Sequence, residues 1–262
     1  LEVTHGTGKF IHKGGSPTRA NTMIRVLRAL YNYAMGQYVD SREQPLILHN
    51  PTAIISHNKA WNREKPRVGV VKDYNLKGWY EGVMKLTEHE KNLISANSSE
   101  VARDVFIFIL FTGMRRNEVL TLKWEDIDLK DNTFTVAKTK NHEGLKLPLT
   151  WILLEVLERR KNDNGNPYVF EGDKPNSHLS PPKKQIEKAR ELVGFHFTNH
   201  DLRRTFSTTA HRLNFGKYTL DRLINHKTED SRDVTARYVI LDVEDLREPM
   251  NQITESIWSQ IQ

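Results

Sequence analysis

A mainly α fold with a small antiparallel β-sheet follows from three features of the sequence. Apolar residues recur at helical spacing along most of the chain. One stretch, "TFTVAKTK", instead alternates with period two and is followed, across the polar turn "NHEG", by "LKLPLT". Pro, Gly and Asn punctuate the intervals between these runs, so each apolar run has a defined start or stop.

Taken in order, the first helix is expected from Pro17 to Met35. Ser16 can cap it, Pro17 suits the first turn, and Met23, Leu27, Leu30 and Ala34 form its stripe, with Arg19, Arg25 and Arg28 outside that stripe. A short helix should follow at "NPTAII", capped by Asn50. Residues 62–75, "NREKPRVGVVKDYN", mix charge with Pro and Gly and show neither period, which reads as a linker. Further helices are expected near 76–86 and 98–111, the latter stopped by Gly113, and the hairpin occupies 133–149. From Trp151 onward the pattern is helical again, over 151–161, 182–193, 198–213, 217–225 and 249–261. The organisation expected is thus a partial helical domain over 1–61, a linker over 62–75 and a larger domain over 76–262.

With 37% hydrophobic and 27% charged residues, the 262-residue chain suits a globular protein with a core of its own. The apolar run "VFIFILF", 105–111, is far shorter than the ~20 residues a bilayer span needs. No membrane association and a cytoplasmic location are expected. The chain has no cysteine, which excludes disulfides, thiolate chemistry and Cys-type zinc sites. Its net charge of +6 is unevenly placed. Residues 1–75 carry 11 Lys and Arg against 5 Asp and Glu, leaving 39 − 11 = 28 and 33 − 5 = 28 for the remainder, which cancel. A basic segment of this kind suits a polyanionic partner such as DNA.

Two stretches carry candidate chemistry. In "TNHDLRRTF", Thr198 stands three residues before Asp201, the spacing of a capping box that opens a helix. His200 and Arg203 then lie one turn apart, so an imidazole and a guanidinium can address one small anion near a helix start. In "TGMRRNEVLTLKWEDIDL", Arg115 follows a helix-stopping glycine, and backbone geometry there can aim a guanidinium at phosphate oxygens. Glu118 can orient it. Arg116 and Arg204 are neighbours that spacing alone does not separate from Arg115 and Arg203. His196 and His200 are four apart, but with no Cys and no His-Glu-x-x-His pattern a metal site is not expected.

The segments "TGMRRNEVLTLKWEDID", "TKNHEGLKLPL", "HDLRRTFSTTAHRL" and "LINHKTEDSRDVTARYV" occur in the order found in the tyrosine recombinases, the phage-integrase family, and together resemble it over about residues 76–262. More loosely, "RANTMIRVLRALYNYA" with "NPTAII" resembles the later helices of that family's basic core-binding domain. The resemblance implies a tyrosine-recombinase catalytic domain preceded by a partial core-binding domain, within a longer integrase. Matched residue by residue, it places the catalytic roles on Arg115, Lys140, His200, Arg203, His226 and Tyr238, with Lys138 as a rival for Lys140. Twelve positions separate His226 from Tyr238, a longer interval than the family usually shows.

The resemblance implies that Tyr238 attacks a DNA phosphodiester to give a 3′-phosphotyrosine and a free 5′-hydroxyl. Arg115, Arg203 and His226 would stabilise charge on the non-bridging oxygens, and Lys140 would protonate the leaving oxygen. A phenol with a pKa of about 10 costs roughly 3.4 kcal/mol to hold ionised near pH 7.5, so His200 is expected as general base. No metal, cofactor or ATP is expected, because guanidinium groups take the electrostatic role of magnesium. Arg19, Arg25, Arg28 and Arg204 are expected on DNA, and Glu118 and Asp201 behind the catalytic side chains. The expected partners are double-stranded attachment sites, with a homotetramer on DNA, a monomer when free, and DNA-bending accessory proteins; the place of action is the host nucleoid. Relaxation like that of a type IB topoisomerase, or DNA binding without catalysis, are the alternatives. The tail "REPMNQITESIWSQIQ" carries a stripe of Met250, Ile253, Ile257 and Ile261 that either folds onto its own domain or, as the resemblance implies, packs in trans on a neighbouring subunit.

Overall fold

The computed structural model describes residues 3–5, 8–10, 16–64, 69–88, 96–136, 144–161, 164–225 and 241–262. They form two compact units, Leu1–Arg67 and Val68–Gln262.

The first unit opens with a two-stranded antiparallel pair that sequence reasoning did not expect, β1 (Val3–His5) and β2 (Gly8–Phe10). Helix α1 (Pro17–Gln37) starts at the expected proline, but Ser16 supplies no side-chain cap. Before the short α2 (Ala53–His57), Asn50 Oδ1 accepts from the backbone N–H and the hydroxyl of Thr52, at 3.0 and 2.7 Å. The apolar stripe of α1 is not covered: Met23, Val26, Leu27, Leu30 and Tyr33 are exposed, and no hydrophobic side chain of 16–64 is fully buried. What holds α1 to the rest of the unit is polar. The buried Asn21 donates from Nδ2 to the Asn62 carbonyl at 2.9 Å and to Glu64 Oε1 at 2.6 Å.

The segment 62–75, read as a linker from its composition, is engaged at both described ends. Beyond the Asn21 contacts, the Val71 N–H donates to Thr205 Oγ1 at 2.9 Å, and the Val71 side chain is buried. Helix α3 (Asp73–Met84) begins three residues ahead of the expected 76: Lys72 is extended just before it, and Asp73 supplies the acidic residue that suits a first turn.

The second unit is built around α4 (Ala96–Thr112). Every residue of "VFIFILF" is fully buried, so the run is apolar all round because it is enclosed by protein on all sides. Among the described residues no helix is long and apolar enough to cross a membrane. Around α4 lie α5 (Arg116–Leu120), α6 (Trp151–Arg160), α7 (Lys183–Val193), α8 (Asn199–Arg212) and α10 (Glu244–Trp258), with α9 (Lys217–Leu223) against α8 and α10. Edge-to-face pairs hold α4 to its neighbours: Phe108 meets Phe134 at 5.6 Å and Phe170 at 5.5 Å, and Phe106 meets Phe197 at 6.1 Å.

A three-stranded antiparallel sheet, ordered β3 (Ile127–Asp128), β4 (Thr133–Val136), β5 (Leu145–Pro148), covers one side. The expected hairpin is present in register, with Phe134 opposite Leu147 and Val136 opposite Leu145, and both its apolar pairs face inward. Strand β3 was not expected. Two residues are too few to show a period, and Ile127 pairs with Phe134 only through the fold.

Helix α10 starts at Glu244, five residues earlier than the expected 249, and takes Pro249 into its interior. Its stripe is spent in cis: Met250, Ile253, Ile257 and Ile261 are all buried in the core of their own unit. Trp258 adds ring contacts with Trp151 at 4.9 Å and Tyr80 at 5.4 Å, and Trp151 Nε1 donates to Glu255 at 3.0 Å. Packing of 249–262 in trans would first have to strip these contacts, so this stripe does not offer a ready docking face to a second subunit.

Candidate active site

The site forms where three loops meet around α8. Helix α4 ends at Gly113, whose φ of +64° lies in the left-handed region that suits glycine. A Cβ built there would lie 2.5 Å from Phe206 Cδ1, so both the turn and the close approach of α8 require glycine. The turn delivers Arg115 as the residue that precedes α5. Its backbone N–H donates to Glu118 Oε2 at 2.8 Å, and its Nη1 donates to Glu118 Oε1 and to the Asn225 carbonyl, each at 3.0 Å. Glu118 thus holds Arg115 through both main chain and side chain.

Helix α8 begins as the capping box predicted. Asp201 N–H donates to Thr198 Oγ1 at 3.2 Å, and Asp201 Oδ2 accepts from Thr198 N–H at 3.0 Å and from its hydroxyl at 2.8 Å. One turn in, Arg203 points to the interior and is only 8% exposed. Its Nη1 donates to the Gly113 carbonyl at 2.6 Å and its Nη2 to the Ile224 carbonyl at 2.7 Å. Arg203 therefore ties the end of α4 to the end of α9, while Arg115 ties the start of α5 to the residue that follows Ile224.

Electrostatics follow from this crowding. Burial, then the nearby positive charge of Arg115, pushes the Arg203 guanidinium down to about 10, against the opposing pull of Glu118. Glu118 pairs with Arg115 and reaches Arg203 only through its charge, so one carboxylate faces two guanidinium groups and a net positive charge remains. That arrangement suits an anion. His200, exposed at the rim, is held below the usual imidazole value by partial burial and by the positive charges of Arg204 and Arg203, with Asp201 opposing. It is therefore biased toward the neutral form, which is the form able to accept a proton.

Of the neighbours that spacing left open, Arg116 donates to Asn117 Oδ1 at 3.3 Å, and Arg204 lies 3.9 Å from Asp201 and acts on His200 through its charge. Arg115, Arg203, His200, Glu118 and Asp201 come together. Arg19, Arg25 and Arg28 lie on α1, where Arg25 pairs with Glu64 at 3.1 Å and Arg28 donates to Ser56 Oγ at 2.8 Å. Both guanidinium groups also stand over Trp61, 5.5 and 5.2 Å from the ring centre. Lys140, its rival Lys138, His226 and Tyr238 lie outside the described residues. Sequence reasoning missed the acceptors, the carbonyls of Gly113, Ile224 and Asn225. A main-chain oxygen carries no residue signature, although Asn225, in the left-handed region at φ +49°, sits where helices commonly stop.

Residues 83–244 match the model of the phage integrase family, 162 of the 262 residues, and they include all three loops of this site. The chain belongs to the phage integrase family. Among curated relatives, a prophage integrase, IntF, of Escherichia coli K12 is 27% identical over 87% of this chain and 54% of its own length. Among solved structures, the XerH site-specific recombinase bound to difH substrate in a pre-cleavage complex matches with a TM-score of 0.60 at 21% identity, over 86% of this chain and 62% of that one. A lambda integrase tetramer bound to a Holliday junction matches with a TM-score of 0.56 at 19% identity, over 83% of this chain and 61% of that one. At such identities the structural likenesses speak to the fold: a mainly α tyrosine-recombinase catalytic domain with a small antiparallel sheet. This integrase-family chain spans about half the length of its E. coli relative and about three-fifths of the two solved chains.

Proposed function

We propose that this chain is part of a site-specific DNA recombinase that cuts and rejoins strands through a covalent 3′-phosphotyrosine, in the integration or excision of a prophage or related mobile element. The observation that carries the reading is the pair Arg115 and Arg203, brought to one place from positions 88 residues apart, only partly neutralised by Glu118 and half desolvated. Among the described residues, the bonds of each use only part of the five N–H donors that a guanidinium has. Aimed at the non-bridging oxygens of a phosphodiester, such donors gain most as charge develops in the transition state.

In this reading His200 takes the phenol proton from Tyr238, and its depressed basicity keeps it unprotonated at neutral pH. Lys140 protonates the 5′-oxygen and His226 adds a donor to the phosphate; these three assignments to Lys140, His226 and Tyr238 rest on the family resemblance alone. The phosphotyrosine conserves the energy of the broken bond, so rejoining to another strand's 5′-hydroxyl needs no ATP, and the arginines stand where a metal would otherwise neutralise charge. The domain roles follow the same reading, with the helical segment 1–61 on DNA through Arg19, Arg25 and Arg28, and 76–262 carrying the chemistry. The working assembly is a homotetramer on two duplex attachment sites, with DNA-bending helpers, in the cytoplasm at the host nucleoid.

The test is a nicked suicide duplex bearing the element's own attachment sequence. A covalent protein–DNA adduct that survives SDS, and is lost in Tyr238→Phe, is expected. An adduct that persists in Tyr238→Phe removes that tyrosine as nucleophile. Binding without any adduct would leave a DNA-binding protein, and relaxation of supercoiled DNA without strand exchange would indicate a topoisomerase.

A further inference from the structure

We infer that Asn225 is a positioning residue for Arg115: it fixes the guanidinium from both sides, accepting from it with its main-chain carbonyl and restraining its carboxylate partner with its side-chain amide. The inference rests on the active-site reading above and adds a residue that neither the sequence pattern nor the family match assigns.

The geometry is closed. Arg115 Nη1 donates at 3.0 Å both to Glu118 Oε1 and to the Asn225 carbonyl. Asn225 Nδ2 in turn donates to the same Glu118 Oε1 at 3.3 Å. Three groups thus form a ring in which the carboxylate oxygen, the guanidinium nitrogen and the Asn225 residue restrain one another. Without the amide, Glu118 Oε1 would keep a single restraint, its bond to Arg115, so the carboxylate could turn about its Oε2 anchor on the Arg115 N–H and carry the 48% exposed guanidinium with it.

Backbone conformation explains why the residue is asparagine. Position 225 has φ +49°, in the left-handed region, and it closes α9 by donating its N–H to the Arg222 carbonyl at 3.2 Å. Glycine tolerates that conformation best and asparagine next, whereas other side chains pay for it. Glycine would satisfy the turn and leave Glu118 untouched. Asparagine satisfies the turn and also supplies a side-chain donor to Glu118 beside the two that come from Arg115. Its neighbour Ile224 accepts from Arg203 Nη2 at 2.7 Å, so both arginines of the site are referenced to consecutive carbonyls of this turn. The chain then continues directly to His226, and the turn that aims Arg115 is the one from which that histidine departs.

Three variants separate positioning from folding. Asn225→Gly keeps the turn and the carbonyl but deletes the amide. It should slow single-turnover adduct formation roughly threefold to tenfold, the worth of one net hydrogen bond, with DNA affinity and melting temperature unchanged. Asn225→Asp sets a second carboxylate against Glu118 and should be slower still. Adding Glu118→Gln to Asn225→Asp restores an amide–carboxylate pair with the roles exchanged, and should recover much of the lost rate. Wild-type rates in both single variants would overturn the inference. So would rate losses that merely follow melting temperature with no recovery in the double variant. If the wild-type chain itself forms no adduct, the active-site reading fails while this inference is still decided, by NMR of protein with 15N-labelled arginine. Asn225→Gly should then shift the Arg115 guanidinium resonance and leave those of Arg103 and Arg159 in place; an unmoved Arg115 resonance overturns it.

Discussion

Replacing Gly113 by alanine tests how the site is built. The φ of +64° is one cost, about 1–2 kcal/mol for a residue with a Cβ in the left-handed region. The new methyl is another: it would lie 2.5 Å from Phe206 Cδ1 and 3.0 Å from Cγ, inside a core where overpacking costs about 1–3 kcal/mol. The sum, about 2–5 kcal/mol, is a large part of the roughly 5–15 kcal/mol that stabilises a typical domain. Guanidinium denaturation followed by circular dichroism should therefore show a clearly lowered midpoint with an unchanged slope. Because the Gly113 carbonyl accepts from Arg203 at 2.6 Å, the displaced turn should also slow adduct formation in the protein that remains folded. Adding Phe206→Leu to Gly113→Ala should return part of the steric share, with a coupling of about 1 kcal/mol between two residues in contact. A loss below about 1 kcal/mol in Gly113→Ala, or strict additivity in the double variant, would refute this account of the turn.

Arg203→Ala should reduce cleavage by ~10²–10³ while leaving DNA binding nearly intact, and near-normal single-turnover cleavage would remove Arg203 from the reaction. Because partial burial and the charges of Arg204 and Arg203 lower the His200 pKa from 6.5, protonation should cut cleavage only below that pH. Arg204→Ala removes one of those charges and should move the acid limb upward; a limb that stays put dissociates it from His200. Replacing Arg25 and Arg28 should flatten the dependence of log K on log salt by about 0.9 per lost phosphate contact, whereas an unchanged slope assigns both to their internal contacts with Trp61. Truncation after Leu246 removes four buried stripe residues worth about 1.5–3 kcal/mol each, so the shortened chain should fail to fold stably; a stable, well-folded product would show α10 to be dispensable.

Most local sequence signals survived contact with the structure, the Ser16 cap being an exception. The Thr198–Asp201 capping box, Pro17 at a helix start and the Phe134–Leu147 register each depend on residues close in sequence or on a simple period. What failed depends on the fold around it. The α10 start was set too late because the apolar stripe was counted from Met250, and only packing of Leu246 into the core reveals the extra turn. Polar composition in 62–75 likewise says nothing of Val71 reaching Thr205, although the two units divide inside this segment, between Arg67 and Val68. Buried charge was equally hidden: Asp104, fully buried, is approached by Arg103, Arg159 and Arg160 at 3.0, 3.1 and 2.8 Å, and no spacing rule links residue 104 to 159.

The candidate site was legible in its donors and illegible in their anchors, and the difference has a physical reason. Arg115 and Arg203 announce themselves by residue type, but each is aimed through main-chain carbonyls of segments far away in sequence. A carbonyl is present whatever side chain stands beside it, so this mode of assembly demands a backbone path more than a residue identity. The demand on identity concentrates at the few points where the path itself is unusual, Gly113 at φ +64° and Asn225 at φ +49°. Those two positions bracket the arginine pair: one ends α4 before Arg115, and the other ends α9 before His226. Substitution elsewhere along these loops should shift the site little, while a β-branched residue at either point should disturb both arginines: among the described residues the Gly113 turn holds Arg203 and leads into Arg115, and the turn at Asn225 holds both.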